Sequence, residues 1–245
     1  MNDPYFDEIA SWATFPAASA RKLLEEGFVV IPGPFLPKQV HNLAATYDTI
    51  MQSDTGPDFN IASTTTRLND MVNRGPAFDQ LYLHFPLLEA CRYVIGAPFK
   101  LSSLLGRTLR AGSSGQQLHS DLPRDSPDAP MVGFILMIDN FEPDNGATQF
   151  IPTSQNWPDV PSDHPAVSGP IYAERVLACG QAGSIIIFNA SIWHGHTANS
   201  TTNPRRSIQG YFVKRGARSG TNFSSPMSLE TFDRIGPLAR YLLSV

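Results

Sequence analysis

After Lys100 the chain breaks into short runs rich in apolar and β-branched residues, "LSSLLGRTLRA", "MVGFILMID", "ATQFIP", "YAERVLA", "GSIIIFNA" and "RRSIQGYFVK", separated by Pro, Gly, Asn and Asp. Such runs read as strands, because branched and aromatic side chains suit a pleated surface and the residues between them favour turns. Many short strands in succession predict a sandwich, barrel or jelly roll. The residues before Lys100 differ. "AASARKLLEEGF" reads as a helix that stops near Gly27, followed by the strand "FVVIPG". Val40, Leu43, Tyr47 and Ile50 recur at helical intervals after Pro37, and "PLLEACRYVIG" at 86–96 is another helix ending at glycine. The closing "SLETFDRIGPLARYLLSV" predicts a helix interrupted near Gly236-Pro237. The expected class is mainly β, with flanking helices buttressing one face. The polar stretch "QSDTGPDFNIASTTTR" at 52–67 reads as a long loop, and 52–75 with the turn at 122–130 is expected to rim or cover a site.

With 245 residues, 42% of them hydrophobic, and 18 Gly plus 21 Pro, a single turn-rich domain over 1–245 is expected. A net charge of −4, with no basic cluster beyond "KRGAR" at 214–218, leaves nucleic acid and anionic membranes without an electrostatic footprint. Cys91 and Cys179 stand alone, so neither a disulfide framework nor a zinc knuckle is indicated. The acidic start "MNDPYFDEIASW" lacks the basic and apolar segments of a signal peptide, and no apolar run reaches membrane-spanning length. The expectation is a cytoplasmic monomer or homodimer whose partner is a small-molecule substrate.

The segment "SSGQQLHSDLPRDSP" carries the chemistry. In extended backbone, His119 and Asp121 project from one face, close enough to share a metal. A third ligand comes later, in "FNASIWHGHTANSTTNPRRSIQGYF", where His194 follows an apolar strand and Arg205 opens another. Two neutral imidazoles and one carboxylate on one face of an octahedral ion leave open positions, a geometry suited to non-haem Fe(II) and O2 chemistry. His196 competes with His194, since the two share strand parity and chemistry alone does not separate them.

Taken together, "LLEEGFVVIPGPFLPKQVHNL", "QLHSD", "DNFEPDNGATQFIPTSQNW" and "WHGHTANSTTNPRRSIQGYF" resemble, in order and spacing, the phytanoyl-CoA dioxygenase-like Fe(II)/2-oxoglutarate oxygenases, and within them the branch of specialised-metabolite tailoring enzymes. The resemblance implies a double-stranded β-helix, the jelly-roll or cupin-like fold. It implies iron on His119, Asp121 and His194, the last because the family's distal ligand is the His of an "HG" pair followed by Asn and Arg. It also implies 2-oxoglutarate and O2 as cosubstrates, with Arg205 anchoring the distal carboxylate of 2-oxoglutarate. Gln116, Thr148 and Ser207 are implied to assist in binding it, with Gln117 as the alternative to Gln116. The reaction implied is oxidation of a free small-molecule metabolite, most simply hydroxylation, with desaturation, epoxidation and cyclisation using the same ligands. Asp121 implies oxygenation, because related halogenases carry a small residue in place of the carboxylate.

Two other classes share part of the pattern. A non-oxidative metal-binding jelly roll needs no Arg205 at this spacing, and an inactive binding module is expected to have lost a ligand. Elsewhere, Arg206 is expected on the face opposite Arg205 as a solvated charge. Asp139, Glu142 and Asp144 lack calcium-loop spacing and are expected to be solvated. Trp193 is expected to pack around the site, and His164 to lie in a Pro-rich loop.

Overall fold

The structure, a computed structural model, describes residues 3–158 and 174–245. Among these, ten strands form two antiparallel sheets. They are β1 (Phe28–Pro32), β2 (Phe59–Ile61), β3 (Thr65–Leu68), β4 (Phe99–Leu109), β5 (Val132–Met137), β6 (Thr148–Phe150), β7 (Val176–Ala178), β8 (Ser184–Asn189), β9 (His194–His196) and β10 (Arg205–Lys214). The large sheet runs β1-β8-β5-β10-β4-β3-β2 and the small one β7-β6-β9. The jelly-roll expectation holds. The first part of "YAERVLA" and the loop bearing His164 lie outside the described residues.

Why β5 and β8 are apolar without interruption follows from what covers their two faces. Val132, Phe134 and Leu136 of β5, with Ile185 and Ile187 of β8, join the core beneath the helices Ala17–Glu26, Pro37–Ser53 and Phe85–Ile95. The alternate residues Ile135, Met137, Ile186 and Phe188 pack with Phe150 of the small sheet. Strand periodicity sends successive side chains to opposite faces, and here both faces are covered by apolar neighbours. The helices therefore buttress the outer face of the large sheet, as expected, and the inner face meets the small sheet. Gly27 and Gly96 end their helices in the left-handed region, with φ of 89° and 65°. The C-terminal helix is interrupted between Arg234 and Pro237.

The stretch read as a loop at 52–67 is in part a hairpin. β2 pairs with β3, and β3 pairs with β4, extending the edge of the large sheet. Its threonines are strand formers rather than turn formers, and the pairing with β4 overrides the polar composition. Met71 and Val72, just beyond, are fully buried, so the end of the segment 52–75 is anchored in the core, and Arg67 within it lines the cavity described below. No helix among the described residues is long and apolar enough to cross a membrane.

One close approach positions the site. His119 and His194 form an antiparallel bridge, each backbone N–H donating to the other's carbonyl at 2.9 Å, while Gln116 N donates to His196 O at 2.9 Å. On its other edge β9 pairs with β6, setting Phe150 opposite His194 and Thr148 opposite His196. Gly195 lies where these backbones crowd: a Cβ there would come within 2.9 Å of Gln116 O and 3.1 Å of Gln117 O. Gly195→Ala must push segment 116–119 away from β9 and separate the two imidazoles. The expected outcome is a folded protein, by far-UV circular dichroism, whose divalent-metal affinity falls roughly ten- to hundredfold; unchanged affinity would mean the approach is not what sets the imidazole spacing.

Candidate metal and anion site

His119, Asp121 and His194 each offer one ligand atom, and these atoms lie within 4.8 Å of one another. Asp121 Oδ1 is 3.5 Å from His119 Nε2, and Oδ2 is 3.3 Å from His194 Nε2. The outer nitrogens fix the tautomers. His119 Nδ1 meets Gln117 O at 3.2 Å and His194 Nδ1 meets Ile192 O at 3.0 Å. A carbonyl can only accept, so each Nδ1 carries a proton, and each Nε2 is left to face Asp121, as a donor when the ring is protonated and as a lone pair for a metal when it is neutral. Two lone pairs and a carboxylate facing one point fit a dication. Tyr211 Oη donates to Asp121 Oδ2 at 2.8 Å, which leaves the carboxylate a defined orientation.

The ionisation of these groups points the same way. Burial opposes the charge on Asp121, but hydrogen bonds from His119, His194 and Tyr211 outweigh it and hold the carboxyl well below the usual carboxylate range. Burial likewise opposes charging of His119, and the hydrogen bond and charge of Asp121 outweigh it and raise its pKa. The cluster selects for positive charge at its centre.

These residues line a cavity of about 300 Å³ that also receives Arg205, Gln116 and Thr148. Arg205, at the start of β10, is 2% exposed and stacks on Phe141, its guanidinium carbon 3.9 Å from the ring centroid. Its Nε and Nη1 are buried and have no hydrogen-bond partner among the described residues. A buried guanidinium in that state is costly unless an anion completes it. Burial, with help from Arg107, lowers its pKa to about 9, so it stays charged at neutral pH.

His196 is buried and lines the same cavity, but it stands apart from the metal-type cluster. Burial and the nearby Arg107, Arg205 and His119 bring its pKa down to about 4, so it is neutral. Ser207 is buried, with its hydroxyl donating to Arg107 O at 3.2 Å. Arg206 does point to the opposite face, yet it is not a solvated charge. Asp139 and Asp48 each bind it at 2.6 Å, tying β10 to the residues after β5 and to the helix Pro37–Ser53. Asp139 is therefore paired rather than solvated. Trp193 packs with Leu118, Ile151 and Trp157, as expected.

Four polar lining residues escaped the sequence reading: Arg67, Arg107, Gln209 and Tyr211. The last two share the inward parity of Arg205 along β10, a signal available from alternation alone. Tyr211→Phe removes one hydrogen bond from Asp121 without changing shape. The expected outcome is a loss of Fe(II) affinity of roughly tenfold, measured by competition with a chelating dye, with the melting temperature nearly unchanged; full affinity would leave Tyr211 a packing residue only.

A family model described as phytanoyl-CoA dioxygenase matches residues 23–207. Dioxygenase af480 of Aspergillus fumigatus is 28% identical over 166 residues, covering 64% of this chain and 52% of its own length. Dioxygenase aneA of Aspergillus aculeatus is 31% identical over 161 residues, 60% of this chain and 52% of its own. The iron/alpha-ketoglutarate-dependent dioxygenase okaE of Penicillium ochrochloron is 26% identical over 199 residues, 73% and 63% respectively. The chain thus spans about half the length of the first two relatives. Among solved structures, the epimerase SnoN in complex with Fe3+, alpha ketoglutarate and nogalamycin RO matches with a TM-score of 0.68 over 86% of this chain and 85% of its own, at 19% identity. EctD from S. alaskensis with bound Fe gives 0.70 over 83% and 78%, at 16% identity. At these identities the structures establish a common fold, and the family match, which takes in both imidazoles, Asp121 and Arg205, establishes descent: the chain belongs to the phytanoyl-CoA dioxygenase family.

Proposed function

We propose that this protein is an Fe(II)- and 2-oxoglutarate-dependent oxygenase that oxidises, most simply by hydroxylation, a free small-molecule metabolite. The observation that carries the reading is the presence in one cavity of a three-donor cluster and a buried guanidinium with unmet hydrogen bonds. 2-Oxoglutarate has the matching chemistry, a chelating 2-oxo acid at one end and a second carboxylate at the other. The relatives are named as dioxygenases, one of them iron/alpha-ketoglutarate-dependent, which supports the same reading.

In this reading His119, Asp121 and His194 would hold the metal, with the two Nδ1 protons pinned on backbone carbonyls so that both Nε2 atoms stay basic. Tyr211 keeps Asp121 oriented. Arg205 would take the distal carboxylate through charge-assisted hydrogen bonds from its unpartnered Nε and Nη1, and its stacking on Phe141 holds the fork in place. Gln116 and Thr148 line the cavity and contribute polar contacts to the same cosubstrate. Ser207, one alternation beyond Arg205, secures the carbonyl of Arg107 and so stiffens the wall. Iron with 2-oxoglutarate, when bound, supplies the activation of O2 and the oxidation of a C–H bond, with succinate and CO2 released. The protein's part is placement and exclusion of water. Asp121 would supply a ligand where a halogenase would need room for chloride, so oxygenation is favoured over halogenation.

Anaerobic addition of Fe(II) and 2-oxoglutarate is expected to give a weak visible metal-to-ligand charge-transfer band. His119→Ala, Asp121→Ala and His194→Ala are expected to lose it, and His196→Ala to keep it. No band on the wild type, or loss only in His196→Ala, would overturn the reading or the ligand set. Arg205→Ala is expected to raise the 2-oxoglutarate concentration for half-saturation roughly ten- to hundredfold while iron affinity holds; an unchanged midpoint would move the anchor elsewhere. A chlorinated product in chloride buffer would contradict the oxygenation assignment.

A further inference from the structure

The cavity holds more positive charge than the metal and its cosubstrate require. Arg67 on β3 and Arg107 on β4 are register partners, and both line the cavity. Like charges directly opposite on neighbouring strands repel, so a fold that keeps them side by side has another use for the pair. Arg107 Nε is buried without an acceptor. Its other nitrogens reach only neutral oxygens, Gln209 Oε1 at 3.5 Å and Gln116 Oε1 at 3.4 Å, long for N–H···O contacts. Arg67 is exposed and makes no side-chain hydrogen bond or ion pair among the described residues. Burial, and then repulsion from Arg67, lowers the pKa of Arg107 to about 10, which leaves it ionised at neutral pH.

Asp121 is the one carboxylate among the residues lining the cavity. A dication on the cluster, together with Arg205, is balanced by Asp121 and the two carboxylates of 2-oxoglutarate. Arg67 and Arg107 are left over. We propose that they form a receptor for a carboxylate on the primary substrate, so that the metabolite oxidised is a carboxylic acid. This rests on the oxygenase reading of the cavity. Gln116 and Gln209 already occupy part of the Arg107 fork, leaving room for one planar acceptor. Leu105, Ile135 and Phe188, on the same lining, offer apolar surface to the body of such an acid. The arrangement tethers the substrate by its charged end to the β3–β4 wall and leaves the remainder to reach toward the metal-type cluster.

The test uses the protein loaded anaerobically with Fe(II) and saturating 2-oxoglutarate, titrated calorimetrically with benzoate, benzamide and phenyl phosphate. Benzoate is expected to bind, with benzamide at least about tenfold weaker because it lacks the charge. Arg67→Gln and Arg107→Gln are each expected to weaken benzoate roughly tenfold or more while the charge-transfer band keeps its 2-oxoglutarate midpoint. Arg67 is exposed, so its variant decides the matter even where Arg107→Gln does not fold. The proposal is overturned by absence of benzoate binding, by equal binding of benzamide, by tighter binding of phenyl phosphate, or by variants that shift the 2-oxoglutarate midpoint and leave benzoate alone. Absence of the band on the wild type overturns the oxygenase reading instead, and because Arg205 then also offers an anion site, the loss or retention of benzoate affinity in unloaded Arg67→Gln decides whether the arginine pair is a carboxylate site.

Discussion

The distance between two backbones governs the rest of this molecule's chemistry. His119 and His194 are far apart in sequence, and they meet because their peptide groups exchange a pair of hydrogen bonds at 2.9 Å across a contact that only glycine at 195 leaves open. Once that bridge exists, strand alternation does the remainder. Asp121 returns to the same face as His119, and His196 falls next to Thr148 rather than beside the carboxylate. The position of the donor cluster is thus a property of rigid sheet pairing, which places side chains more closely than loops do.

Electrostatics then divides the cavity into two unlike regions. Around Asp121, acceptors converge and positive charge is favoured; around Arg205 and Arg107, buried cations with incomplete hydrogen bonding favour anions. Each region is costly by itself, since an unpaired buried charge destabilises the fold. The cost is offset when a metal and a dicarboxylate bind together. A site organised in this way is expected to be more stable loaded than empty, through ordinary linkage between binding and folding.

Much of this was legible in the sequence, and the parts that were not have identifiable physical reasons. "RRSIQGYFVK" could be read as a strand from its residue types, and the strand occupies the same ten positions. The His119/Asp121 pair could be read from its spacing in extended chain. The choice between His194 and His196 could not be made from chemistry, because parity is shared and only the bridge to His119 separates them. The hairpin at 59–68 was hidden because its polar, Thr-rich residues sit at a sheet edge, where tertiary pairing with β4 and not hydrophobic alternation sets the structure. With that hairpin went Arg67. Arg107 lay in view within "LSSLLGRTLRA", but an arginine in an otherwise half-buried strand usually points to water, and nothing local distinguishes one that faces a cavity. The pairing of Arg206 with Asp48 and Asp139 spans segments that no sequence window joins.

The central claim is that one cavity holds a metal on His119, Asp121 and His194 and a dicarboxylate on Arg205. A crystal structure of the protein grown anaerobically with Fe(II) and 2-oxoglutarate tests it most directly. Density for a metal bonded to His119 Nε2, an Asp121 oxygen and His194 Nε2, with the distal carboxylate paired to Arg205, is the result expected. A metal bonded to His196 in place of His194, or 2-oxoglutarate lying with its distal carboxylate on Arg107 and Arg205 left bare, would contradict it.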